Sequence, residues 1–283
     1  MKNIRRKRSI ILLLAICLVS LVFSPPSGPT VATGDSSAAE SENAFKIDLA
    51  HTLPAGARVN IAAKNTYSGA SLSFAEDKTV DATSTIKLAL AMELYQQADE
   101  GKIKLDEVVT IPTGSVQRYG TGPIQFDPAP YRYTWRKLTE LMLRNSDNTA
   151  AYVIAGKVSM ESHKQYVKKL GMNKTDVYNN TTTARDMLVL AQKFDEGNGL
   201  SAPLHEELLS YTKDTQFEDR LPKQLPSGAV VYHKTGDGFD GAINDVGIVK
   251  YDGKTLYIAL FSDGINASEV SKVSRRVFSF LQE

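Results

Sequence analysis

The chain has 283 residues, 42% of them hydrophobic, and its 33 basic and 32 acidic residues leave a formal net charge of +1. That content fills one large core or two small ones. A balance so close to neutral speaks against nucleic acid or an acidic partner.

Lys2, Arg5, Arg6, Lys7 and Arg8 precede the uncharged run Ile10 to Phe23, and Ser24-Pro25-Pro26-Ser27-Gly28 follow it. This order is that of a secretory signal. As a helix the run spans roughly 21 Å, short of the ~30 Å hydrocarbon core, which favours a cleaved signal over a spanning anchor. Cys17, the single cysteine, lies inside the run behind Ile16, which argues against lipid modification. Removal of the signal would leave no disulfide, no thiol nucleophile and no cysteine metal site. Residues 1–24 therefore read as a signal peptide or N-terminal anchor. Residues 25–44, rich in Ser, Pro, Gly, Ala and Thr, read as a flexible linker. Residues 45–283 read as the folded domain. The expected location is outside the cytoplasm, with a membrane tether if the signal is retained.

Arg58 to Ala63 and Ala70 to Phe74 have strand character, joined at Tyr67-Ser68-Gly69. Leu88 to Ala98 is apolar on nearly every side, as a buried helix is, and Gly101 is its expected stop. Ser84 and Lys87 fall in the first turn, on one face. A buried lysine loses proton affinity, and a neutral amine beside a serine hydroxyl makes a nucleophile. The same spacing recurs at Ser210 and Lys213 without support, so the pair alone is weak. Further helices are expected from Trp135 to Leu143 behind Thr134, from Thr149 to about Lys157, from about Met160 to Leu170, and from Ala184 to Phe194 behind Thr183. The period then changes. Val230 to Lys234, Ile243 to Tyr251 and Thr255 to Ser262 are strand-like, with Asp252-Gly253 as a hairpin turn, and an amphipathic helix runs from about Ala267 to Leu281. Strands at both ends with helices between predict one sheet built from both termini and a helical lobe inserted in sequence.

Two short motifs follow Ser84 and Lys87 in order. Ser146-Asp147-Asn148 lies between two expected helices, and Lys234-Thr235-Gly236 ends an expected strand. The set Ser-x-x-Lys, Ser-Asp-Asn, Lys-Thr-Gly resembles that of class A β-lactamases and penicillin-binding proteins. Tyr133-Thr134-Trp135, Arg144-Asn145, Thr181-Thr182-Thr183 and Asn244-Asp245 add smaller matches. The resemblance covers Phe45 to the C-terminus, making 45–283 a β-lactamase-like catalytic domain. It implies the serine β-lactamase/transpeptidase-like α/β (α+β) fold, an antiparallel sheet flanked by helices plus the helical lobe.

The resemblance also implies roles. Ser84 is the acylated nucleophile, Lys87 its proton acceptor and Ser146 the relay to the leaving nitrogen. Lys234 and Thr235 hold a substrate carboxylate, and Lys234 helps keep Lys87 neutral by repulsion. Asn148 bonds the substrate amide, and the backbone N–H groups of Ser84 and Asp237 form an oxyanion hole. Gly236 and Gly238 leave room for substrate. The partner is a small β-lactam or a cell-wall peptide, with no cofactor; a monomer is expected.

Two features depart from the pattern. Met172 to Asn180 is short and contains no glutamate to activate the deacylating water; Asp176, its one carboxylate, reads as a turn residue. Asp237 puts an acid beside the carboxylate-binding lysine, which predicts either repulsion of penicillin-like substrates or preference for a cationic one, with Asp240 adding to it if the turn folds it inward. His51, His163, His205 and His233 are scattered and show no metal-ligand spacing. Three functions stay open: a β-lactamase with another deacylation route, a D-Ala-D-Ala peptidase or cell-wall amide hydrolase, and a non-catalytic module that senses β-lactams or peptidoglycan.

Overall fold

The computed structural model describes residues 33–282, so the expected signal at 1–24 lies outside the described residues. The folded body begins at Ser41. Helix α1 covers Thr33–Thr52, so part of the expected linker is helical. Ala, Glu and Lys are good helix formers, and Lys46 pairs with Glu42 one turn away at 2.9 Å. Tertiary packing fixes the rest. Leu49 is fully buried and the Phe45 ring lies 5.2 Å from that of Phe280. Among the described residues no helix is long and apolar enough to cross a membrane.

Strands β1 (Arg58–Asn65) and β2 (Ser71–Phe74) come from one end of the chain. The short β3 (Val80–Asp81), β4 (Val108–Ile111), β5 (Tyr131–Thr134) and β6 (Thr181–Thr182) lie in the middle, and β7 (Val230–Asp237), β8 (Ile243–Tyr251) and β9 (Lys254–Asp263) at the other end. The main sheet is antiparallel in the order β2-β1-β9-β8-β7, so the first and last strands meet at β1–β9. Asp252 and Gly253 both take positive φ in the β8–β9 hairpin, as the sequence predicts.

The two sheet faces alternate residue by residue. On β9, Leu256, Ile258 and Leu260 join Leu49 and the C-terminal helix α8 (Ala267–Gln282). Tyr257, Ala259 and Phe261 face the core shared with α2 (Lys87–Asp99), α3 (Trp135–Arg144), α4 (Asn148–Val158), α5 (Met160–Lys169), α6 (Ala184–Asp195) and α7 (Ala202–Tyr211). Helix α2 is buried from Lys87 to Tyr95. The expected caps form: Thr134 accepts from the Lys137 N–H and Thr183 from that of Asp186. Helix α7 and the four short strands carry too little periodicity to be seen in sequence.

Strand β7 does not stop at Lys234. It continues to Asp237, pairing Gly236 with Asn244, so Lys234-Thr235-Gly236 is strand interior along the free edge of the sheet rather than a strand end.

Candidate active site

Ser84 stands on a 3-10 turn, Thr83–Ile86, that runs directly into α2. The turn is clamped from the sheet. Asn244 on β8 donates to the Asp81 carbonyl and to Thr83 Oγ1, both at 3.1 Å. Thr83 adopts a positive φ of 50°, a conformation that costs a non-glycine residue about 1–3 kcal/mol and persists only where the surroundings enforce it. A Cβ built on Gly236 would strike Thr83 Oγ1 and approach the Ser84 N–H to 2.9 Å. The missing side chain of Gly236 thus seats the serine turn against β7 and does not open space for substrate. Gly238 likewise makes room for its own turn, Asp240 and Ala242.

Ser146 occupies the break between α3 and α4 with a positive φ of 54°. Asp147, the middle residue of its motif, is buried and caps α4: its carboxylate accepts from the Ala150 N–H at 2.8 Å and from the Ile124 N–H at 2.9 Å. Burial raises its pKa above the usual carboxylate range. The loop Tyr119–Gly122 wraps the break. Thr121 Oγ1 donates to the Ser146 carbonyl at 2.8 Å, and Asn148 Nδ2 donates to the Tyr119 carbonyl at 3.1 Å.

Two buried lysines converge on Ser146. Lys87 Nζ donates to the Ser146 carbonyl at 2.6 Å, to Asn148 Oδ1 at 2.8 Å and to Ser146 Oγ at 3.3 Å. Lys234 Nζ donates to the same hydroxyl at 3.0 Å and to the Thr235 carbonyl at 2.8 Å. Burial lowers the Lys87 amine to about 7, against the opposing pull of the Asp147 carboxylate. Lys234 is held well below its ordinary value, by burial first and by the Lys87 charge second. The repulsion expected between the two lysines is thus felt most at Lys234. Lys87 bonds Ser146 and Asn148 rather than Ser84. The Ser84 hydroxyl is half-buried and open to the cleft.

Ser84, Lys87, Ser146, Asn148, Thr235, Gly236 and Asp237 line one cleft of about 500 Å³. Lys234 lies beneath it, 1% exposed. A larger cavity of about 790 Å³ opens beside Leu53, Arg58 and Asp263 and contains none of the three motifs. Asp237 is not a free charge. The Arg220 guanidinium, 4% exposed, pairs with it at 2.7 Å. The expected repulsion of anionic substrates is therefore offset by a cation that sequence reading missed, because Asp219-Arg220-Leu221 carries no pattern. Asp240 lies on the turn outside Gly238.

Three of the remaining acids and histidines, Asp176, Asp186 and His233, have partners of their own. Asp176 is half-buried and accepts from the Tyr178 and Asn179 N–H groups at 2.9 and 3.2 Å and from Asn179 Nδ2 at 2.8 Å; these bonds hold its pKa below the usual range. It is a turn aspartate outside the cleft lining. Asp186 organises the short segment before α6, accepting from the Lys174 N–H at 2.7 Å and Thr175 Oγ1 at 2.8 Å. His233 points away from Lys234, between Asp245 at 2.9 Å and Glu218 at 3.1 Å. Burial opposes its charged form, but the two carboxylates outweigh burial and raise it to about 9. Among the described residues no His, Cys, Asp and Glu cluster could hold a metal.

A serine at the head of a buried helix with two buried lysines in the same site, set between a sheet edge and a helical lobe, is the layout of the serine β-lactamase and penicillin-binding protein fold. The chain belongs to the β-lactamase enzyme family, whose model matches residues 46–281. It is 26% identical to the extended-spectrum β-lactamase PER-1 of Pseudomonas aeruginosa over 230 residues, covering 70% of this chain and 74% of that protein. Among solved structures, it is similar to a mutant of PBP-A in acyl-enzyme complex with penicillin G. That match has a TM-score of 0.79 at 26% identity over 86% of this chain and 97% of the other. The extended-spectrum β-lactamase TLA-1 shares the fold, with a TM-score of 0.79 at 21% identity over 86% and 100% of the two chains.

Proposed function

We propose that the protein is an exported serine acyl-transfer enzyme that opens β-lactams or related cell-wall amides through an ester on Ser84, and that it releases the acyl group slowly. The observation that carries this reading is the convergence of Lys87 and Lys234 on Ser146 within the cleft that Ser84 faces. Neutral Lys87 takes the Ser84 proton as Oγ attacks the carbonyl. The N–H groups of Ser84 and Asp237 receive the developing oxyanion. Ser146, held by both lysines, passes a proton to the departing nitrogen. Lys234 and Thr235 favour a substrate carboxylate, and Arg220 offsets the Asp237 charge beside them. The similar PBP-A mutant carries an acyl-enzyme of this kind with penicillin G. Export is supported by the basic run followed by Ile10 to Phe23.

Hydrolysis of the ester needs a base aimed at water. The segment Met172 to Asn180 holds only Asp176, whose carboxylate is engaged in its own turn. Absence of a positioned base costs about 10²–10⁴-fold in rate. Intact-mass spectrometry after mixing with penicillin G is expected to show one long-lived adduct, abolished by Ser84→Ala. Rapid turnover without an accumulating adduct would make the protein an efficient β-lactamase and overturn slow release. Absence of any adduct would leave a binding module.

A further inference from the structure

The cleft continues past Lys87 into an arm that acyl transfer does not use. Its walls are apolar: Leu90 of α2, Ala155 of α4, Met160 of α5 and Val177. His163, 3% exposed, belongs to the same lining. Behind the imidazole stands Glu93, which interrupts the apolar run Leu88–Tyr95 of α2 and is also 3% exposed. Glu93 Oε2 lies 2.7 Å from His163 Nδ1, and Oε1 accepts from Ser162 Oγ at 2.6 Å and Gln97 Nε2 at 3.3 Å. Among the described residues no lysine or arginine pairs with Glu93, and no hydrogen bond reaches His163 Nε2.

With Nδ1 engaged by Glu93, Nε2 is the ring nitrogen left for a ligand, and in the neutral tautomer it presents a lone pair there. Nε2 keeps contact with the cleft, where water or a ligand satisfies it. Glu93 lies six residues beyond Lys87, about 9 Å further along the helix axis. We propose that this arm is an acyl-side subsite for a flexible tail ending in a primary ammonium group, with His163 Nε2 accepting its hydrogen bond and Glu93 supplying the opposite charge. The subsite rests on the acyl-serine reading and names the substrate class for it. The apolar walls cover the methylenes of the tail. A methyl-ended tail gains only burial, and a carboxylate-ended tail meets repulsion from Glu93.

The test uses three penicillins whose side chains are 6-aminohexanoyl, hexanoyl and 6-carboxyhexanoyl, with acylation rates followed by stopped flow and intact mass. The unmodified protein is expected to react with the aminohexanoyl compound about tenfold faster than with the hexanoyl one, the size of a hydrogen bond to a charged group. His163→Phe and Glu93→Gln are expected to bring that ratio to near one. Ala155→Leu, which fills the arm from its wall, is expected to do the same without touching the polar pair. Equal rates for the first two compounds in the unmodified protein, or preference for the carboxylate, would overturn the subsite while leaving the acyl-serine intact. A ratio that survives all three substitutions would overturn it too. Acylation by none of the compounds would overturn the acyl-serine reading itself, and the subsite with it.

Discussion

Lys87 brings a buried amine to the wall of the cleft, and the acylation rate is expected to follow its titration. Burial is the dominant cause of its lowered pKa, about 7. Below that pH the amine is charged and cannot take the Ser84 proton; above it the amine is neutral. The acylation rate constant is therefore expected to rise about tenfold per pH unit up to about pH 7 and to level off above it. The inflection belongs to the Lys87 and Lys234 pair, which share Ser146. Stopped-flow acylation by penicillin G between pH 5 and 9 measures it, and a rate independent of pH would exclude Lys87 as the base. Lys87 and Lys234 were legible from their motifs. Arg220, Glu93 and His163 were not: their partners lie far away in sequence, and no local spacing marks them.

At the scale of elements, the contact that positions Ser84 is the approach of strand β7 to the 3-10 turn. Gly236 permits it, because any side chain there meets Thr83 and the Ser84 backbone. Gly236→Ala is expected to destabilise the protein by about 1–3 kcal/mol, as overpacking does. It is also expected to slow acylation by more than its effect on folding, since the displaced group is the serine turn itself. Urea unfolding together with acylation rates checks this; stability and acylation rate both unchanged would show that the turn does not need β7. The longer elements were readable because they repeat: α3, α5 and α6 fell within a residue or so of their expected ends. The two-residue strands were not, because they exist only where a distant partner meets them. Val80 pairs with Thr182, more than a hundred positions away.

At the scale of the whole molecule, the sheet closes the chain on itself. Strands β1 and β9 come from opposite ends and pair along eight residues, Arg58 to Asn65 against Asp263 to Leu256. Helices α1 and α8 cover the outer face, and Leu49 and Phe45 link them. Leu49→Ala is expected to cost about 2–5 kcal/mol, the range for emptying a buried leucine site. Because the outer face backs the strand that pairs with β8, the loss is expected to appear as a lower midpoint of a single unfolding transition for the sheet. A midpoint unchanged in calorimetry would show that α1 contributes nothing to it.

The sequence by itself determined the periodic elements, the three motifs and their order, because helix and strand patterns and short chemical motifs are local properties of a chain. It also placed β7 in a sheet, but not how far the strand runs. Only the tertiary structure decided what each side chain meets. It showed that Gly236 and Gly238 serve packing, that Asp237 is neutralised by Arg220, and that Ser146 is shared by two buried amines. It also showed that the cleft lining includes a histidine backed by a carboxylate. Burial and charge pairing are sums over neighbours drawn from the whole chain, and those neighbours are set by the fold.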